Sequence, residues 1–398
     1  MHKHTKIIAT ISDKRCDSSF IRQLFDEGMD VVRMNSAHIN EEGFIRIVEN
    51  VRAVSNRIAL LLDTKGPEIR TTIAEAPYEL KTGDIVRVEG NPAGISSREC
   101  IYVSYRNVAN DIKVGEDILI DDGEIGLKVI EAASDHLICS VQNDGVVGSR
   151  KSVNIPGVRI NLPTITDRDR EFIALAVKYD IDFIAHSFVR SKEDVLEVQQ
   201  ILDSYNSPIK IIAKIENQEG VDNADEILDV AYGIMVARGD LGIEVPQEKI
   251  PGIQRVLIRK AIHHKKPVIV ATQMLQSMIE NPRPTRAEVT DIANAIFYRT
   301  DAMMLSGETA FGKYPVEAVR TMTKVSFEAE KTKLAENDIR VPYDLDEEQE
   351  VTVFLAKQAV KSETRLNTKA IITDSHTGRT ARVLAAFRGP SPVYAMTT

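Results

Sequence analysis

The sequence predicts an α/β protein: a (β/α)8 TIM barrel with an inserted all-β lid domain and a partial C-terminal α/β domain. Short apolar runs, most of them with β-branched residues, recur eight times along the chain, and helical segments separate most of them. This alternation is typical of a parallel sheet, and eight is the number of strands that closes a barrel. One interval in the series is too long for a single helix, which predicts the inserted domain.

The predicted strands and helices alternate in a regular order. The helix after the first strand begins at Ser18 as an N-cap and ends at Gly28. The segment Ser191–Asp194 opens another helix, while Thr285 and Glu288 form a capping box at the start of a third. The eight predicted strands are Lys6–Ser12, Val31–Asn35, Ile58–Asp63, Asp182–Phe188, Lys210–Glu216, Gly233–Asp240, Pro267–Met274 and Ala302–Glu308.

The long interval after the third strand predicts a domain inserted into the barrel. Residues 71–157 show short alternating strands broken by turns such as Asp121–Gly123, while residues 1–70 and 158–340 supply the barrel. A domain inserted beside a barrel mouth is a natural lid. An insertion without a role in a site is the alternative.

The C-terminal part of the chain predicts an incomplete third domain. After an acidic run, residues 345–398 give a helix, a strand at Ala370–Thr373 and a glycine-containing loop at Ser375–Thr380. About two strands can hardly close a core of their own. We therefore expect a chain that is shortened at its C-terminus. The loop is either a phosphate-binding loop or an ordinary turn between strand and helix.

Composition excludes several classes of function. The 398 residues suffice for two or three domains, and the net charge of -9 with scattered basic residues argues against a nucleic acid partner. Cys16, Cys100 and Cys139 match neither a metal site nor a disulfide framework, so we expect buried free thiols. We find no signal peptide and no membrane span, which predicts a cytoplasmic protein with no membrane partner.

The fifth predicted strand ends in a cation and a carboxylate. Lys214 and Glu216 are two residues apart, so they point to the same side of the strand while Ile215 points away. A solvated ion pair is the ordinary interpretation of such a pair. The position favours a site instead, because functional groups of a barrel gather at the C-terminal ends of its strands.

The neighbouring strand ends supply the groups that phosphoryl chemistry needs. Glu216 and Asp240 are an oxygen set that suits Mg²⁺, and Gly239 leaves room for a ligand beside the backbone. Asp240 can also begin a helical turn whose N–H groups suit a carboxylate. No Ser-His-Asp set is present, which argues against covalent acyl chemistry. Four cations would make the site strongly positive: Arg33, Arg70, Lys151 and Lys214.

Nine segments match the motifs of one known enzyme family in the right order. They are Val32–Asn35, Asp63–Arg70, Ile120–Gly123, Lys151–Gly157, Lys214–Asn217, Ala237–Gly242, Ala271–Leu275, Asn281–Glu288 and Met304–Ala310. On these motifs the chain resembles the pyruvate kinase family from Lys6 to its end. The resemblance implies a phosphotransferase that moves the phosphoryl group of phosphoenolpyruvate to ADP in the last step of glycolysis. It also implies Mg²⁺ (or Mn²⁺), K⁺ and a homotetramer of the intact protein.

The resemblance also implies a role for each matching residue. Lys214 would stabilise the phosphoryl group and the enolate oxygen, Arg33 would bind the phosphate, and Thr272 would help to protonate the methylene carbon. The substrate would contact Arg33, Lys214, Gly239, Asp240, Thr272 and Ser306. The nucleotide would contact Asn35, His38, Arg70 and Lys151. Glu216 and Asp240 would hold the divalent ion, and Asn35, Asp63 and the Thr64 carbonyl would hold K⁺.

One motif departs from the family at the expected potassium site. The family usually has Phe-Ser-His-Gly after Asn35, and its serine helps to bind the monovalent cation. This chain has Ser36-Ala37-His38-Ile39, so Ala37 has no hydroxyl to give. Glu68 nevertheless resembles the potassium-dependent branch, and we predict potassium dependence with Ser36 rearranged toward the ion.

Two rival functions remain open from the sequence alone. The first is another Mg²⁺-dependent barrel that acts on a pyruvate enolate, such as a lyase of the citrate lyase β-subunit type. The inserted domain with Lys151 and the Arg70 contact argue against it. The second is a catalytically impaired or inactive fragment that acts as a binding or scaffold protein, which Ala37 and the shortened tail suggest.

Overall fold

The computed structural model describes residues 3–158, 160–335, 351–366 and 368–397. Besides the strands and α-helices given below, two short turns of 3-10 helix lie at Gln247–Lys249 and Gln276–Ile279. The acidic run at residues 344–350 and the predicted domain limits at residues 340 and 345 fall outside the described residues. The strands are β1 (Lys6–Thr10), β2 (Val31–Asn35), β3 (Ala59–Asp63), β4 (Ile69–Arg70), β5 (Tyr78–Leu80), β6 (Ile85–Glu89), β7 (Cys100–Tyr102), β8 (Asp117–Ile120), β9 (Ile125–Ala132), β10 (His136–Val141), β11 (Gly145–Val147), β12 (Ser152–Asn154), β13 (Phe183–His186), β14 (Lys210–Ile215), β15 (Gly233–Ala237), β16 (Val268–Ala271), β17 (Ala302–Leu305), β18 (Ile371–Asp374) and β19 (Val393–Met396). The α-helices are α1 (Ser18–Asp26), α2 (Glu41–Val54), α3 (Val108–Asp111), α4 (Asp167–Lys178), α5 (Lys192–Ser204), α6 (Gln218–Asp222), α7 (Ala224–Val230), α8 (Arg238–Glu244), α9 (Ile250–His263), α10 (Arg286–Phe297), α11 (Gly307–Ala310), α12 (Pro315–Ala335), α13 (Val351–Leu366) and α14 (Arg379–Ala386).

The eight predicted strands form a closed parallel barrel, which confirms the fold class. Its order around the wall is β1, β17, β16, β15, β14, β13, β3 and β2. Most strands are shorter at their C-terminal ends than the sequence suggested. The sixth stops at Ala237, opposite Ala271, because the chain turns there into α8. Asp240 therefore lies in the first turn of a helix and not at the end of a strand.

Two apolar layers hold the barrel together. The inner layer fills the barrel with side chains that include Leu61, Ile212 and Met235, while a larger layer lies between the wall and the helices. Because side chains alternate along a strand, positions two residues beyond the inner layer also point inward. Leu61 is followed in this way by Asp63, and Ile212 by Lys214. The polar floor of the candidate site is thus built directly on the packed interior.

The boundary of the first helix differs by one residue from the prediction. Asp17, and not Ser18, is its N-cap, because the Asp17 carboxylate accepts a hydrogen bond from Phe20 N at 3.0 Å. Gly28 follows the C-cap with a φ of 109°, a conformation that favours glycine. The predicted position of this glycine is confirmed.

The other two predicted helix starts differ from each other. Thr285 and Glu288 make both hydrogen bonds of a capping box, as predicted. Ser191 is an N-cap by position, yet its side chain makes no capping hydrogen bond. The Asp194 carboxylate instead accepts hydrogen bonds from Arg190 and Thr164, so Ser191 and Asp194 do not form a capping box.

The inserted segment forms a separate sheet with its own apolar core. Seven strands pair in the order β4, β12, β8, β9, β10, β6 and β7, and β5 pairs with β11. The segment is not purely β, because the short helix α3 packs against β10. Strand pairing in this sheet begins at Ile69, two residues before the predicted boundary. The domain limits themselves stay predictions.

The C-terminal segment packs on the amino end of the barrel. Strands β18 and β19 pair in parallel, and Gly378 precedes α14 with a φ of 74°. Arg388 donates two hydrogen bonds to the Asp301 carboxylate, at 2.8 and 2.6 Å, immediately before β17. The C-terminal segment is therefore tied to the face of the barrel opposite the candidate site.

The cysteines and helices agree with most of the compositional expectations. Cys16 and Cys139 are buried free thiols, but Cys100 is half-buried because it begins β7 at the edge of its sheet. The expectation of three buried thiols was wrong for Cys100. Among the helices of the described residues, none has the length and apolar character needed to cross a membrane.

Candidate active site

Lys214 is the centre of a buried polar cluster at the C-terminal end of the barrel. Its Nζ lies 2.8 Å from Glu216 Oε1 and 3.0 Å from Asp63 Oδ1, and it donates to Ser187 Oγ at 2.8 Å. Lys214 is 7% exposed and Glu216 is 1% exposed. The interpretation of this pair as solvated was therefore wrong, and the prediction from side-chain alternation that Lys214 and Glu216 share one side of the strand is confirmed.

Asp63 joins the two predicted phosphate-binding cations. Its second carboxylate oxygen lies 2.7 Å from Arg33 Nε, and Arg33 also donates to Thr10 Oγ1 at 3.1 Å. Burial alone would raise the pKa of the Asp63 carboxyl, but the charges of Arg33 and Lys214 outweigh it and hold this pKa below its usual value. Asp63 is thus ionised and fixes both cations in place.

The ionised form of Glu216 is less well stabilised by its surroundings than that of Asp63. Burial raises the pKa of the Glu216 carboxyl, the charge of Asp240 raises it further, and Lys214 opposes both. For Lys214, burial alone would lower the pKa, but Asp63, Glu216 and Asp240 together raise it. Two carboxylates that repel each other beside one ammonium group are a donor set that a divalent cation would relieve.

This pair of carboxylates does not extend into a larger cluster. Within the described ranges, no group of three or more His, Cys, Asp or Glu side chains is arranged to hold a metal ion. Mg²⁺ commonly binds through one or two carboxylates together with water and substrate phosphates. Glu216 and Asp240 therefore fit a divalent ion whose remaining ligands come from the substrate.

Thr272 adopts a strained backbone conformation beside the cluster. Its φ is 68°, a left-handed value that is unfavourable for a β-branched residue. Its Oγ1 accepts a hydrogen bond from Gly239 N at 2.7 Å, and Arg238 donates to its carbonyl oxygen at 2.6 Å. These contacts hold the Thr272 hydroxyl against the first turn of α8.

Ser306 lies at the same end of the barrel, after β17. Its backbone N–H donates to Glu308 Oε2 at 2.8 Å, and Glu308 Oε1 accepts from Leu275 N at 3.0 Å. Glu308 is fully buried and so links the loops that follow β16 and β17. The sequence placed Ser306 in the site but gave no indication of this linking role.

Two of the four predicted nucleotide contacts, Arg70 and Lys151, lie in the inserted segment, and each of these cations has a carboxylate partner there. Arg70 Nε lies 2.7 Å from Glu68 Oε2, and Lys151 Nζ lies 2.6 Å from Asp121 Oδ2. Arg70 also donates to the Arg150 carbonyl oxygen. The structure therefore does not bring these two cations into contact with the Lys214 cluster, although both are partly exposed and can exchange partners.

The predicted potassium ligands meet where β2 and β3 end side by side. Asn35 pairs with Asp63 across the two strands, and the Thr64 carbonyl oxygen accepts a 2.6 Å hydrogen bond from Ser187 Oγ. Asn35 Oδ1 accepts a hydrogen bond from Ala37 N at 3.0 Å. The backbone N–H of His38 donates to the Asn35 carbonyl oxygen, and His38 itself is exposed.

Ser36 is a further candidate ligand in this loop. It is completely buried, and its Oγ has no hydrogen-bond partner among the described residues. A buried hydroxyl without a partner is costly in a native structure and points to a ligand or water. This orphaned oxygen, beside two strand ends rich in oxygen atoms, fits a monovalent cation.

Three residues of the site were missed at the level of sequence. Ser187 contacts Lys214, Asp63 and the Thr64 carbonyl, Thr10 contacts Arg33, and Glu308 joins two loops. Ser187 and Glu308 each stand at the end of a predicted strand, which was the available signal. Their roles depend on neighbours that are distant in sequence.

His186 is a buried titratable group on the outer side of the barrel wall. Both ring nitrogens lack a partner among the described residues, and burial lowers the pKa of His186 to about 4. The folded state therefore binds this proton less well than the unfolded chain does, so stability falls as the pH drops from about 6.5 to 4.

We expect His186→Leu to reduce this loss of stability. Because leucine cannot bind a proton, the variant should lose about 3 kcal/mol less unfolding free energy than the wild type between pH 7 and pH 4. Denaturant unfolding of both proteins at the two pH values measures the difference. Identical pH dependence in the two proteins would show that His186 does not titrate in this way.

Comparison with known proteins identifies close relatives of this chain. The sequence model of the family described as "Pyruvate kinase, barrel domain" matches residues 2–319. A pyruvate kinase of Borreliella burgdorferi is 48% identical over 397 residues, covering 99% of this chain and 82% of the relative. One of Geobacillus stearothermophilus is 44% identical over 406 residues, covering 100% and 69%. Among solved structures, a pyruvate kinase from Cryptosporidium parvum superposes with a TM-score of 0.90 at 40% identity, covering 99% of this chain and 83% of that one.

Proposed function

This chain belongs to the pyruvate kinase family, and we propose that it transfers the phosphoryl group of phosphoenolpyruvate to ADP, giving pyruvate and ATP. The observation that carries the proposal is the buried contact of Lys214 with both Glu216 and Asp63, next to Arg33. A fixed cation beside paired carboxylates suits a reaction whose catalysis is mostly positioning and charge stabilisation. Because it belongs to the pyruvate kinase family, the chain is a phosphotransferase of glycolysis.

Lys214 would stabilise the charge that moves during the reaction. An oxygen of the terminal phosphate of ADP attacks phosphorus, and the bond between phosphorus and the enol oxygen breaks. The electron pair of that bond stays on the enolate oxygen. The Lys214 ammonium group keeps its proton because three carboxylates surround it, so a full positive charge faces both groups in a site with little water.

Arg33 would bind the phosphate of phosphoenolpyruvate. Its guanidinium is held by Asp63 and Thr10, which leaves its remaining N–H groups in a fixed direction. A cation that is already oriented loses little entropy when the phosphate arrives. Arg33 and Lys214 share Asp63, so the two phosphate contacts keep a constant spacing.

Glu216 and Asp240 would hold Mg²⁺ or Mn²⁺, which supplies positive charge to the phosphate and enolate oxygens when bound. The Phe188 N–H donates to Glu216 Oε2 at 2.7 Å and orients this carboxylate. Oε1 of the same group faces Lys214.

Thr272 would complete the reaction by helping to protonate the methylene carbon of the enolate. The proton added there balances the conversion of enolate into pyruvate. The Gly239 N–H donates to Thr272 Oγ1, and the Thr272 hydroxyl donates its own proton to the Ala271 carbonyl oxygen at 2.6 Å. A substrate carboxylate that accepted the Gly239 N–H instead would free Oγ1 to accept a hydrogen bond from the water that delivers the proton. We infer that substrate binding at Gly239 and Asp240 prepares Thr272 in this way, with Ser306 at the edge of the same pocket.

Asn35, His38, Arg70 and Lys151 would contact the nucleotide. Arg70 and Lys151 belong to the inserted sheet, and their present partners Glu68 and Asp121 would yield to phosphate oxygens when ADP binds. Closure of the inserted sheet over the barrel would exclude water that otherwise hydrolyses the phosphate.

We predict that K⁺ activates the enzyme through Asn35, Asp63 and the Thr64 carbonyl, with Ser36 Oγ replacing the hydroxyl that Ala37 lacks. The buried, unpaired Ser36 Oγ supports this choice. The turnover rate should therefore rise with KCl at constant ionic strength, with tetramethylammonium chloride as the balancing salt. A rate that is independent of K⁺ would rule out this site.

A coupled assay with lactate dehydrogenase tests the activity itself. We expect pyruvate release from phosphoenolpyruvate that depends on both ADP and Mg²⁺. Release without ADP would mean that water and not ADP accepts the phosphoryl group, and no release would favour a lyase or an inactive binding protein. We further propose a cytoplasmic location, a homotetramer and no nucleic acid partner, which sedimentation and localisation experiments test.

A further inference from the structure

Arg168, in the first turn of α4, holds the loop that follows β2. Its Nε and Nη2 donate to the Ser36 carbonyl oxygen at 2.9 and 2.7 Å, and Nη2 also donates to the Ile39 carbonyl oxygen at 2.7 Å. The guanidinium lies over the Phe172 ring, 5.0 Å from its centroid, and Phe44 packs edge-on against that ring. The loop is therefore fixed at both ends by one rigid, planar group.

Asp169, the next residue of α4, holds the loop that follows β3. Its Oδ1 accepts from Lys65 N at 2.9 Å and from Gly66 N at 3.4 Å. Its Oδ2 accepts from Thr166 N and Thr166 Oγ1, which completes the capping box of α4. Asp169 is 1% exposed, so this contact is sheltered from water.

The two loops that α4 holds are the ones that carry the proposed monovalent cation ligands. Asn35 ends β2 and Ser36 begins the first loop, while Asp63 ends β3 and Thr64 begins the second loop. We infer that Arg168 and Asp169 are positioning residues that set the distance between the two halves of the cation site. This inference rests on the proposed cation site.

The inference can be tested through the K⁺ affinity of a variant that lacks Arg168. If the charge of Arg168 dominates, its removal tightens K⁺ binding, because Arg168 repels a nearby cation. If its positioning of the loop dominates, its removal weakens K⁺ binding, because Arg168 no longer places Ser36 for the ion. Loss of residues that orient metal ligands typically weakens affinity about 10- to 100-fold.

Three variants separate position from charge. Arg168→Ala removes both, while Arg168→Lys keeps the charge but loses the planar fork that reaches two carbonyl groups. Arg170→Ala is the matched control, because Arg170 lies two residues further along α4 and pairs with the surface residue Glu197. All three are studied in the full chain.

The measurement is the rise in melting temperature as KCl replaces tetramethylammonium chloride, without substrates, since a ligand that binds the folded state stabilises it. We expect the half-saturating K⁺ concentration to rise about 10-fold in Arg168→Ala and less in Arg168→Lys, and to stay unchanged in Arg170→Ala. Steady-state rates should show the same shift in K⁺ activation.

Three outcomes would overturn the inference. A lower melting temperature in Arg168→Ala with an unchanged half-saturating K⁺ concentration would mean a purely structural role, and tighter K⁺ binding would mean that charge dominates. An active wild type that shows no K⁺ effect would remove the cation site and this inference together. In each case phosphoryl transfer by the wild type would leave the proposed kinase activity intact.

Discussion

Lys214→Met will lower kcat/KM for phosphoryl transfer by about 10²- to 10³-fold, because a charge stabiliser in a water-poor site is worth roughly 3–4 kcal/mol. Methionine has a similar length but no charge, so the phosphoryl group and the enolate oxygen lose the same partner. The coupled assay with saturating Mg²⁺ and K⁺ measures the change. Equal activity of a folded variant and the wild type would refute the assignment of Lys214.

The same substitution will also destabilise the protein, since Glu216 and Asp63 then share no ammonium group. Breaking a buried ion pair by removing one partner typically costs about 3–5 kcal/mol. Lys214→Arg keeps the charge and tests activity if the methionine variant unfolds. Lys210→Met is the matched control, because Lys210 is an exposed residue at the opposite end of β14, and its loss should change neither activity nor stability.

Glu216→Gln will have the second largest effect, through the divalent ion. The amide can still accept the hydrogen bond from Phe188 N, so the local backbone should stay in place. The loss of one of two carboxylates should lower kcat/KM by roughly 10²- to 10³-fold and raise the Mg²⁺ concentration needed for half-maximal activity.

A Mg²⁺ titration of the rate measures both effects. Glu248→Gln, which neutralises an exposed carboxylate, is the control and should behave like the wild type. If Glu216→Gln shows the wild-type Mg²⁺ dependence, Glu216 does not bind the metal. The assignment of Glu216 and Asp240 as a pair of metal ligands would then be wrong.

Much of the barrel could be predicted, because the sequence patterns that indicate its strands lie within short segments of the chain. Short apolar runs, most of them with β-branched residues, marked all eight strands, and the alternation of side chains placed Lys214 and Glu216 together. The rule that barrel sites gather at the C-terminal strand ends then pointed to Asp63 and Asp240. These inferences need only neighbouring residues and a known architecture.

The remaining features depend on contacts between distant segments. Asp63 and Lys214 lie on strands that are separated by β13, so only barrel closure shows that one carboxylate fixes two cations. Arg168 reaches Ser36 from a helix that follows the whole inserted sheet. The ends of strands were also overestimated: the predicted sixth strand extended to Asp240, but the chain already turns into α8 at Arg238.

The left-handed backbone of Thr272 sets stability against reactivity at one residue. A non-glycine residue in this conformation costs about 1–3 kcal/mol, and a glycine would adopt it without that cost. Glycine, however, has no hydroxyl to meet Gly239 and the enolate. The barrel is therefore less stable than it would be with glycine at this position, and a screen that selects only for heat resistance would favour loss of the hydroxyl to which we assign proton delivery.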